Sequence, residues 1–525
     1  MLFTSYSFIL FLIVLFLLYY SIPGKYQWIL LLMASYVFYA AAGYKYLIYL
    51  LVTTVTTYLT AKRMDTLLHV QGVYLKENKE NLNREEKKEY KALQKKKRFR
   101  LITLCMVFNF GILAVLKYAD FSIRNINTIF NQELSFFQFV LPLGISFYTF
   151  QSMGYLIDVS REKYPAERNP GKLALFISFF PQLIQGPISR FDDLSQTMFL
   201  EHRYEQKNIT FGLTRILYGY FKKLVIADRL LIAVTTIIKN TEEYQGIYVL
   251  LGMFFYAIEL YADFTGGIDI TIGIAEVLGI RLKENFIRPY FSKSIVEYWR
   301  RWHISLGTWF KEYMFYPISV SKPMLNLSKY SRRTLGENLG KRVPVYLATI
   351  LVWFTTGIWH GASWNFIVWG LANSFVILLS QECAPFYEKF HNRFSIGNTF
   401  YYRLFQVIRT FWLMSFLRTF DCYRDVSTTL KMYGTIFTDL RLGEFMQRGL
   451  SGLGLTSLDY LVLALSTLTL LIISLLGRRR SVREIIYSKP MLTRYVLYTL
   501  LFLSILIFGA YGIGYDANQF IYSQF

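Results

Sequence analysis

Apolar residues occur in long runs that recur from one end of the chain to the other, separated by short polar segments. The runs "FILFLIVLFLLYY", "LVLALSTLTLLIISLL" and "YVLYTLLFLSILIFGAYGIG" approach or reach the roughly 20 apolar residues that a membrane-spanning helix requires. The first run lacks the basic flank and cleavage site of a secretory signal, so it is interpreted as a spanning helix. The pattern predicts an all-α polytopic integral membrane protein.

Some of these hydrophobic segments are short or interrupted by residues that break helices. The interruptions lie around Pro142, around Pro181 and at the pair Gly266 and Gly267. Re-entrant or kinked helices are tolerated at membrane depth only where protein or a water-filled cavity satisfies the freed backbone groups. The three places are therefore predicted to be re-entrant or kinked pieces beside a functional cavity.

Clusters of basic residues predict the sidedness of the chain. Segment 61–100 is the most charged part of the sequence and can form a helix with charge pairs four residues apart. Its excess of lysine and arginine places it in the cytoplasm, so three preceding spans put the amino terminus outside. A second basic cluster at 477–483 precedes the last span, which then runs outward. Both termini are predicted to be extracytoplasmic.

Composition narrows the classes of partner and cofactor. The net charge of +22 arises largely in loops beside hydrophobic helices, which indicates membrane topology and attraction to the lipid bilayer rather than binding of nucleic acid. Cys105, Cys383 and Cys422 are too far apart to suggest a disulfide framework or a metal site. The sequence has no P-loop, GxSxG or GxGxxG motif, so no tightly bound cofactor is predicted.

Two of the five histidines lie in unusual surroundings. His360 lies in the apolar aromatic run "TTGIWHGASWNFIVWG", where an ionisable side chain is costly to bury and a functional role and a structural one are about equally favoured. Gly357 and Gly361 beside it leave room for another backbone or a thin substrate. His303 lies in "SIVEYWRRWHISLGTWFKEYMFYPIS", which by itself is more typical of an interfacial helix with an aromatic belt.

Three acidic residues, Glu259, Asp263 and Asp269, occur in the apolar stretch "FFYAIELYADFTGGIDITIG". Glu259 and Asp263 are four residues apart and share one face of a helix. Structural ion pairs, or capping of a helix before the Gly-Gly pair, are favoured over direct chemistry.

Four blocks together resemble signature motifs of the membrane-bound O-acyltransferases (MBOAT), in the bacterial branch of alginate and peptidoglycan O-acetylases. They are "LPLGISFYTFQSMGYLIDVSR", "FFPQLIQGPISRF", "YADFTGGIDITIGIAEVLGIRLKENFIRPYFSKSIVEYWRRWHISLGTWFKEYMFYPI" and "GIWHGASWNFIVWGL". With the hydrophobic pattern, the resemblance implies roughly 11–13 transmembrane helices plus re-entrant or amphipathic helices around a central tunnel. The expected organisation is N-terminal helices (1–60), a basic cytoplasmic segment (61–100), a catalytic core (101–420), a C-terminal region with the last spans (421–514) and an extracytoplasmic aromatic tail (515–525).

The resemblance implies a chemistry and a set of site residues. His360 corresponds to the family's invariant histidine and is expected to be the catalytic base, and His303 corresponds to a second histidine of the bacterial branch. Nearby tryptophan N–H groups, Asn365 or His303 would stabilise the oxyanion. Tyr522, in the tail "QFIYSQF", is expected to act as an intermediate acyl carrier, with an aromatic interfacial anchor as the alternative for this tail.

The expected reaction moves an acetyl group from a cytoplasmic thioester, acetyl-CoA, across the bacterial cytoplasmic membrane to a cell-envelope or exported polysaccharide. The resemblance further implies a separate extracytoplasmic transferase of the SGNH-hydrolase type as a partner. Two alternatives stay open at this point: a D-alanyl transfer protein that uses a carrier-protein thioester, and a polysaccharide or lipid transporter without covalent chemistry. The absence of matched Gly- or Pro-broken segments in two halves of the sequence weighs against the transporter.

Overall fold

The structure is a computed structural model that describes residues 3–394, 396–397 and 399–511. Within these ranges the regular secondary structure is helical and no strand occurs. The chain divides into two compact units: residues up to Thr210 with Ile274–Lys283 form the first, and Phe211–Gly273 with the residues from Glu284 onward form the second. The prediction of an all-α protein is confirmed.

The helices follow one another with short connections. The first part of the chain forms α1 (Tyr6–Ser21), α2 (Gln27–Gly43), α3 (Leu47–Glu77), α4 (Arg84–Phe130), α5 (Ile145–Ser160), α6 (Pro170–Ser178), α7 (Phe180–Gln185) and α8 (Phe191–Met198). The middle part forms α9 (Gln206–Tyr220), α10 (Asp228–Lys239), α11 (Ile247–Val277), α12 (Ile295–Arg301), α13 (Ile304–Phe310), α14 (Tyr316–Ser319), α15 (Lys322–Gly340), α16 (Val343–His360) and α17 (Trp364–Glu382). The last part forms α18 (Ala384–Phe394), α19 (Phe400–Tyr423), α20 (Val426–Thr438), α21 (Leu442–Arg448), α22 (Ser457–Leu476), α23 (Val482–Tyr487) and α24 (Met491–Phe508).

Seven helical segments of the described chain are long and apolar enough to cross a membrane. They are Gly24–Glu77, Arg84–Phe130, Ile247–Val277, Val343–His360, Trp364–Glu382, Ser457–Leu476 and Met491–Phe508. The first of these contains both α2 and α3, and α1 is a shorter apolar helix. Other hydrophobic runs form short helices or bent pieces, which is why these segments are fewer than the roughly 11–13 spans expected from the sequence.

The charged segment 61–100 forms the two arms of a helical hairpin. The first arm is the end of α3, and the second arm is the start of α4, which begins after Asn83. The Asn83 side chain accepts hydrogen bonds from the backbone N–H groups of Glu85 and Glu86. The Glu86 carboxylate in turn accepts from the Asn83 backbone N–H, which completes a capping box. The rings of Tyr74 and Tyr90 contact each other across the hairpin, tilted by 32° with centroids 4.3 Å apart.

Two of the three predicted interruptions are present. The chain bends at Phe179 between α6 and α7, with Pro181 in the first turn of α7. Gly144, two residues after Pro142, has a left-handed backbone (φ 67°) just before α5, and a Cβ there would lie 2.2 Å from the carbonyl oxygen of Leu183. Only glycine fits such a close approach of two backbones.

The predicted interruption at Gly266 and Gly267 is wrong. Helix α11 continues through both glycines without a break from Ile247 to Val277. A Cβ on Gly219 of α9 would lie 2.6 Å from the carbonyl oxygen of Gly266, and a Cβ on Gly273 would lie 2.7 Å from that of Gly212. The glycines therefore permit a close crossing of α9 and α11.

Candidate functional site

His360 is the last residue of α16, at a tight hairpin with α17. A Cβ on Gly357 would lie 2.4 Å from the carbonyl oxygen of Phe366, and a Cβ on Gly370 would lie 2.4 Å from that of Trp353. The backbones of the two helices are therefore in contact. The sequence predicted another backbone or a thin substrate beside Gly357, and the neighbour there is the backbone of α17. His360 is buried, with 7% of its surface exposed. The hairpin fixes its backbone on the inside of the second unit.

Aromatic rings surround the His360 imidazole. The ring centroids of Trp359 and Trp369 lie 5.0 Å and 4.6 Å from it, both edge to face, and that of Phe366 lies 6.3 Å away. A base in an apolar environment is shielded from bulk water, so a hydroxyl group bound beside it does not compete with bulk solvent for the imidazole. The His360 imidazole therefore lies in an apolar aromatic pocket.

His303 lies between two short helices, α12 and α13, with a left-handed backbone (φ 46°, ψ 56°). It is buried, with 3% of its surface exposed, so His303 itself faces the inside of the protein. Asn285 holds the turn: its backbone oxygen accepts from the N–H of Ile304 (3.0 Å) and its side-chain Oδ1 from the N–H of Ser305 (2.9 Å). Positive φ is uncommon outside glycine, and these two bonds stabilise it here.

The same asparagine determines the tautomer of His303. Because Asn285 Oδ1 accepts from a backbone N–H, the amide NH₂ group faces the imidazole, 3.2 Å from Nδ1. Nδ1 is then the acceptor and Nε2 carries the proton in the neutral ring. Burial, and then the positive charge of Arg418, lower the pKa of His303 to about 3. At neutral pH His303 is an uncharged N–H donor.

The structure brings His303 and His360 to one site. The Trp359 ring contacts both: its centroid lies 6.2 Å from that of His303 and 5.0 Å from that of His360. Phe264 of α11 lies on another side of His303, with centroids 5.0 Å apart. Two buried histidines that are 57 positions apart in sequence thus contact the same indole.

Asn365, predicted as a possible oxyanion donor, uses one of its two amide N–H groups within the fold. Its Nδ2 donates to the backbone carbonyl of Phe420 (3.0 Å), and its Oδ1, an acceptor, has no hydrogen-bond partner in the described chain. The indole Nε1–H of Trp369, also buried and also without an acceptor among the described residues, is a better candidate donor. A buried donor without a partner costs about 1–3 kcal/mol, so such groups at a site are often reserved for a ligand.

Sequence reasoning missed the residue pair Arg418 and Asp421 on α19. Arg418 Nη1 donates to Asp421 Oδ2 (2.8 Å), and both side chains are buried. The guanidinium carbon lies 4.9 Å from the ring of Trp369 and 5.1 Å from the ring of Trp302. The signal was present as an arginine and an aspartate three residues apart in the apolar run "FWLMSFLRTFDCY".

Two of the three acidic residues that the sequence singled out on α11, Asp263 and Asp269, form ion pairs as predicted, whereas the buried Glu259 forms no ion pair within the described part of the chain. Asp263 Oδ1 lies 2.7 Å from Lys223 Nζ, and Asp269 Oδ2 lies 2.5 Å from Lys222 Nζ. Asp269 also accepts from Arg215 Nε at 2.8 Å. The alternative role as helix caps is wrong, because α11 does not end at the glycines.

Tyr522 and the rest of the tail lie outside the described residues. Within the described ranges, no group of three or more histidine, cysteine, aspartate or glutamate side chains could hold a metal ion. The structure therefore brings together His303, His360, two tryptophans and an ion pair. The tryptophans are Trp359 and Trp369, and the ion pair is Arg418–Asp421.

Comparisons with known proteins identify the family of this chain. The model of the MBOAT, membrane-bound O-acyltransferase family matches residues 169–423, which include both histidines. The chain is 35% identical over 70% of its length to a "Probable alginate O-acetylase AlgI" of Azotobacter vinelandii, covering 66% of that protein, and 32% identical over 89% of its length to one of Pseudomonas syringae, covering 81%. It is 33% identical to a peptidoglycan O-acetyltransferase of Helicobacter pylori over 56% of this chain and 58% of that protein. The chain belongs to the membrane-bound O-acyltransferase family and is a multi-pass membrane enzyme of that family.

Proposed function

We propose that this enzyme takes an acetyl group from cytoplasmic acetyl-CoA and delivers it outside the bacterial cytoplasmic membrane for O-acetylation of a cell-envelope or exported polysaccharide. The observation that carries the proposal is the buried pair His303 and His360, which share the ring of Trp359. Relatives named for O-acetylation of alginate and of peptidoglycan support an exported polymer as the final acceptor.

The proposed chemistry follows from the two histidines. His360 takes the proton of an acceptor hydroxyl as its oxygen attacks the thioester carbonyl, because an alcohol is a poor nucleophile at neutral pH. The negative charge that develops on the carbonyl oxygen is stabilised by the Nε2–H of neutral His303 and the Nε1–H of Trp369. Collapse of the tetrahedral intermediate breaks the C–S bond, and the departing thiolate takes the proton from His360. The products are an ester and free coenzyme A.

Tyr522 is proposed to be the first acceptor. Its phenol would attack the thioester and carry the acetyl group as an aryl ester at the extracytoplasmic face, where an SGNH-type partner transferase would pass it to the sugar. A phenol loses its proton more readily than a sugar hydroxyl, and its ester is more reactive. The basic cluster before α24 supports this sidedness, because lysine and arginine concentrate on the cytoplasmic side.

The test of the proposal is release of coenzyme A by the purified enzyme in lipid nanodiscs. With acetyl-CoA labelled in the acetyl group, we expect label on the protein and a matching amount of free thiol. D-Alanyl-charged carrier protein, offered as the donor in its place, should give no transfer. Uptake of polymer or lipid without thiol release would contradict the proposal and indicate a transporter.

His303 variants should distinguish a hydrogen-bond donor from a base. In H303Q the amide can donate near the position of Nε2, whereas H303F keeps an aromatic ring without any donor. Loss of one oxyanion donor typically costs about 10²–10³-fold in kcat, so we expect that loss in H303F and a clearly smaller one in H303Q. Initial rates of thiol release at saturating acetyl-CoA measure both.

The pH dependence gives a second measure of the same role. A histidine with a pKa of about 3 is neutral throughout pH 5–9, and its contribution is lost only as the pH falls towards that value. The kcat–pH profile of H303Q should therefore have the native shape at a lower plateau. Equal inactivity of H303Q and H303F, or loss of an ionisation from the profile, would contradict the donor role.

A further inference from the structure

Arg418 is a buried cation in the wall of the histidine site. It has 5% of its surface exposed and one carboxylate partner, Asp421. Its Nε and Nη2 have no hydrogen-bond acceptor among the described residues. Burying a guanidinium costs several kcal/mol unless its surroundings compensate, so a cation kept at this position needs a physical explanation.

Three indoles supply much of that compensation. The guanidinium carbon lies 4.9–5.4 Å from the rings of Trp299, Trp302 and Trp369, within the range of cation–π attraction. Such contacts are strongest when the cation is desolvated, as Arg418 is. Trp299 is further fixed by its Nε1–H, which donates to Asn373 Oδ1 (3.2 Å). Arg418 thus holds three rings that come from two different helices, α12 with its C-cap and α17.

Two of these rings connect Arg418 to the histidines. Trp369 contacts His360 directly, with centroids 4.6 Å apart. Trp302 immediately precedes His303 in the chain, and its ring stacks on Tyr298 at 5.5 Å with an interplanar angle of 14°. A shift of either indole would move one histidine relative to the other.

We propose that Arg418, held by Asp421, is a positioning residue for acyl transfer: it clamps Trp302 and Trp369 and so fixes His303 and His360 relative to each other. This inference rests on the proposed function of the two histidines and goes beyond it. The arginine acts through the rings and requires no contact with the substrate. Its charge has a second effect, because it disfavours a proton on His303 and keeps that side chain a neutral donor.

Other groups also influence the charge of His303. The buried carboxyl, guanidinium and imidazole groups on the elements packed against it are Glu259 and Asp263 on α11, His360 on α16, and Arg418 and Asp421 on α19. The same elements carry buried phenol and thiol groups: Tyr248, Tyr256, Tyr298, Tyr423 and Cys422. Among them Arg418 acts on His303 as a fixed positive charge, second in size to the effect of burial. Removal of this charge should therefore make His303 easier to protonate.

The test compares R418Q and R418K with a matched control, R229Q. Arg229 on α10 is also a buried guanidinium paired with one carboxylate, Asp459, so R229Q removes a similar ion pair outside the tryptophan cluster. Misplacement of catalytic groups by about 1 Å typically costs about 10²-fold, and we expect that loss in kcat for R418Q with KM for acetyl-CoA nearly unchanged. R229Q should keep the native kcat.

The R418K variant separates the positioning of the indoles by Arg418 from the effect of its charge on His303. It keeps the charge but lacks the planar group that stacks between indoles. R418K is expected to lose kcat while its kcat–pH profile stays native, whereas in R418Q the fall in activity on the acid side should begin at a higher pH. Size-exclusion elution and tryptophan fluorescence of each variant report whether the tryptophan cluster has folded. If R418Q does not fold, the kcat of R418K tests whether Arg418 positions Trp302 and Trp369.

The outcomes discriminate between this inference and the function on which it rests. A kcat within about twofold of native in R418Q would overturn the positioning role, because a twofold change in rate corresponds to only about 0.4 kcal/mol of activation free energy. If His360 variants are inactive at the same time, the proposed function stands and only the clamp fails. Equal losses in R229Q and R418Q would also overturn the inference, because the effect would then be general destabilisation.

Discussion

Replacing His360 by glutamine is expected to lower kcat for thiol release by about 10²–10⁴-fold, the usual contribution of a general base. Glutamine has a similar volume, so the rings of Trp359 and Trp369 keep a neighbour and no large cavity opens. It has no group that can accept a proton at neutral pH. The loss should therefore be in kcat and should leave KM for acetyl-CoA nearly unchanged.

A histidine outside the site provides the control for this prediction. His391 on α18 lies 2.9 Å from the hydroxyl of Tyr402 and belongs to the same unit as His360. H391Q makes the same chemical change and is expected to keep the native rate of thiol release. Activity of H360Q within about tenfold of native would be too high for loss of a general base and would remove His360 from that role.

Local features of the site could be predicted from the sequence. His360 stood out because a titratable group in an apolar aromatic run is costly, and Gly357 correctly indicated a close backbone neighbour. The glycines at 266 and 267 were misinterpreted, because a glycine pair looks the same whether it breaks a helix or lets two helices cross closely. Only the neighbouring chain distinguishes the two cases.

Long-range features of the site could not be predicted. The tautomer of His303 depends on Asn285, which lies 18 positions earlier and is oriented by a hydrogen bond from the backbone N–H of Ser305. Arg418 was visible as a charge in an apolar run, but its role depends on indoles from two other parts of the chain. Such arrangements arise from tertiary packing, and neither periodicity nor motif spacing encodes them directly.

Replacing Tyr522 by phenylalanine is expected to abolish transfer of labelled acetyl to the protein. The change removes one oxygen, and that oxygen is the proposed attacking atom of the first step, so no ester can form at this position. Phenylalanine keeps the aromatic ring, and an interfacial anchor would therefore work equally well with it. Labelling followed by peptide mass spectrometry measures the loss at this residue directly.

A second tyrosine in the same tail makes the test of the relay specific. Tyr515 lies seven residues before Tyr522 and carries the same phenol, so Y515F removes an identical group from the same segment. We expect Y515F to be labelled at Tyr522 as in the native enzyme and to support polymer acetylation in cells. Y522F should support no polymer acetylation in cells, although its His360 site is unchanged. Full polymer acetylation by Y522F would leave the tail as an anchor and would mean that His360 delivers the acetyl group to another hydroxyl.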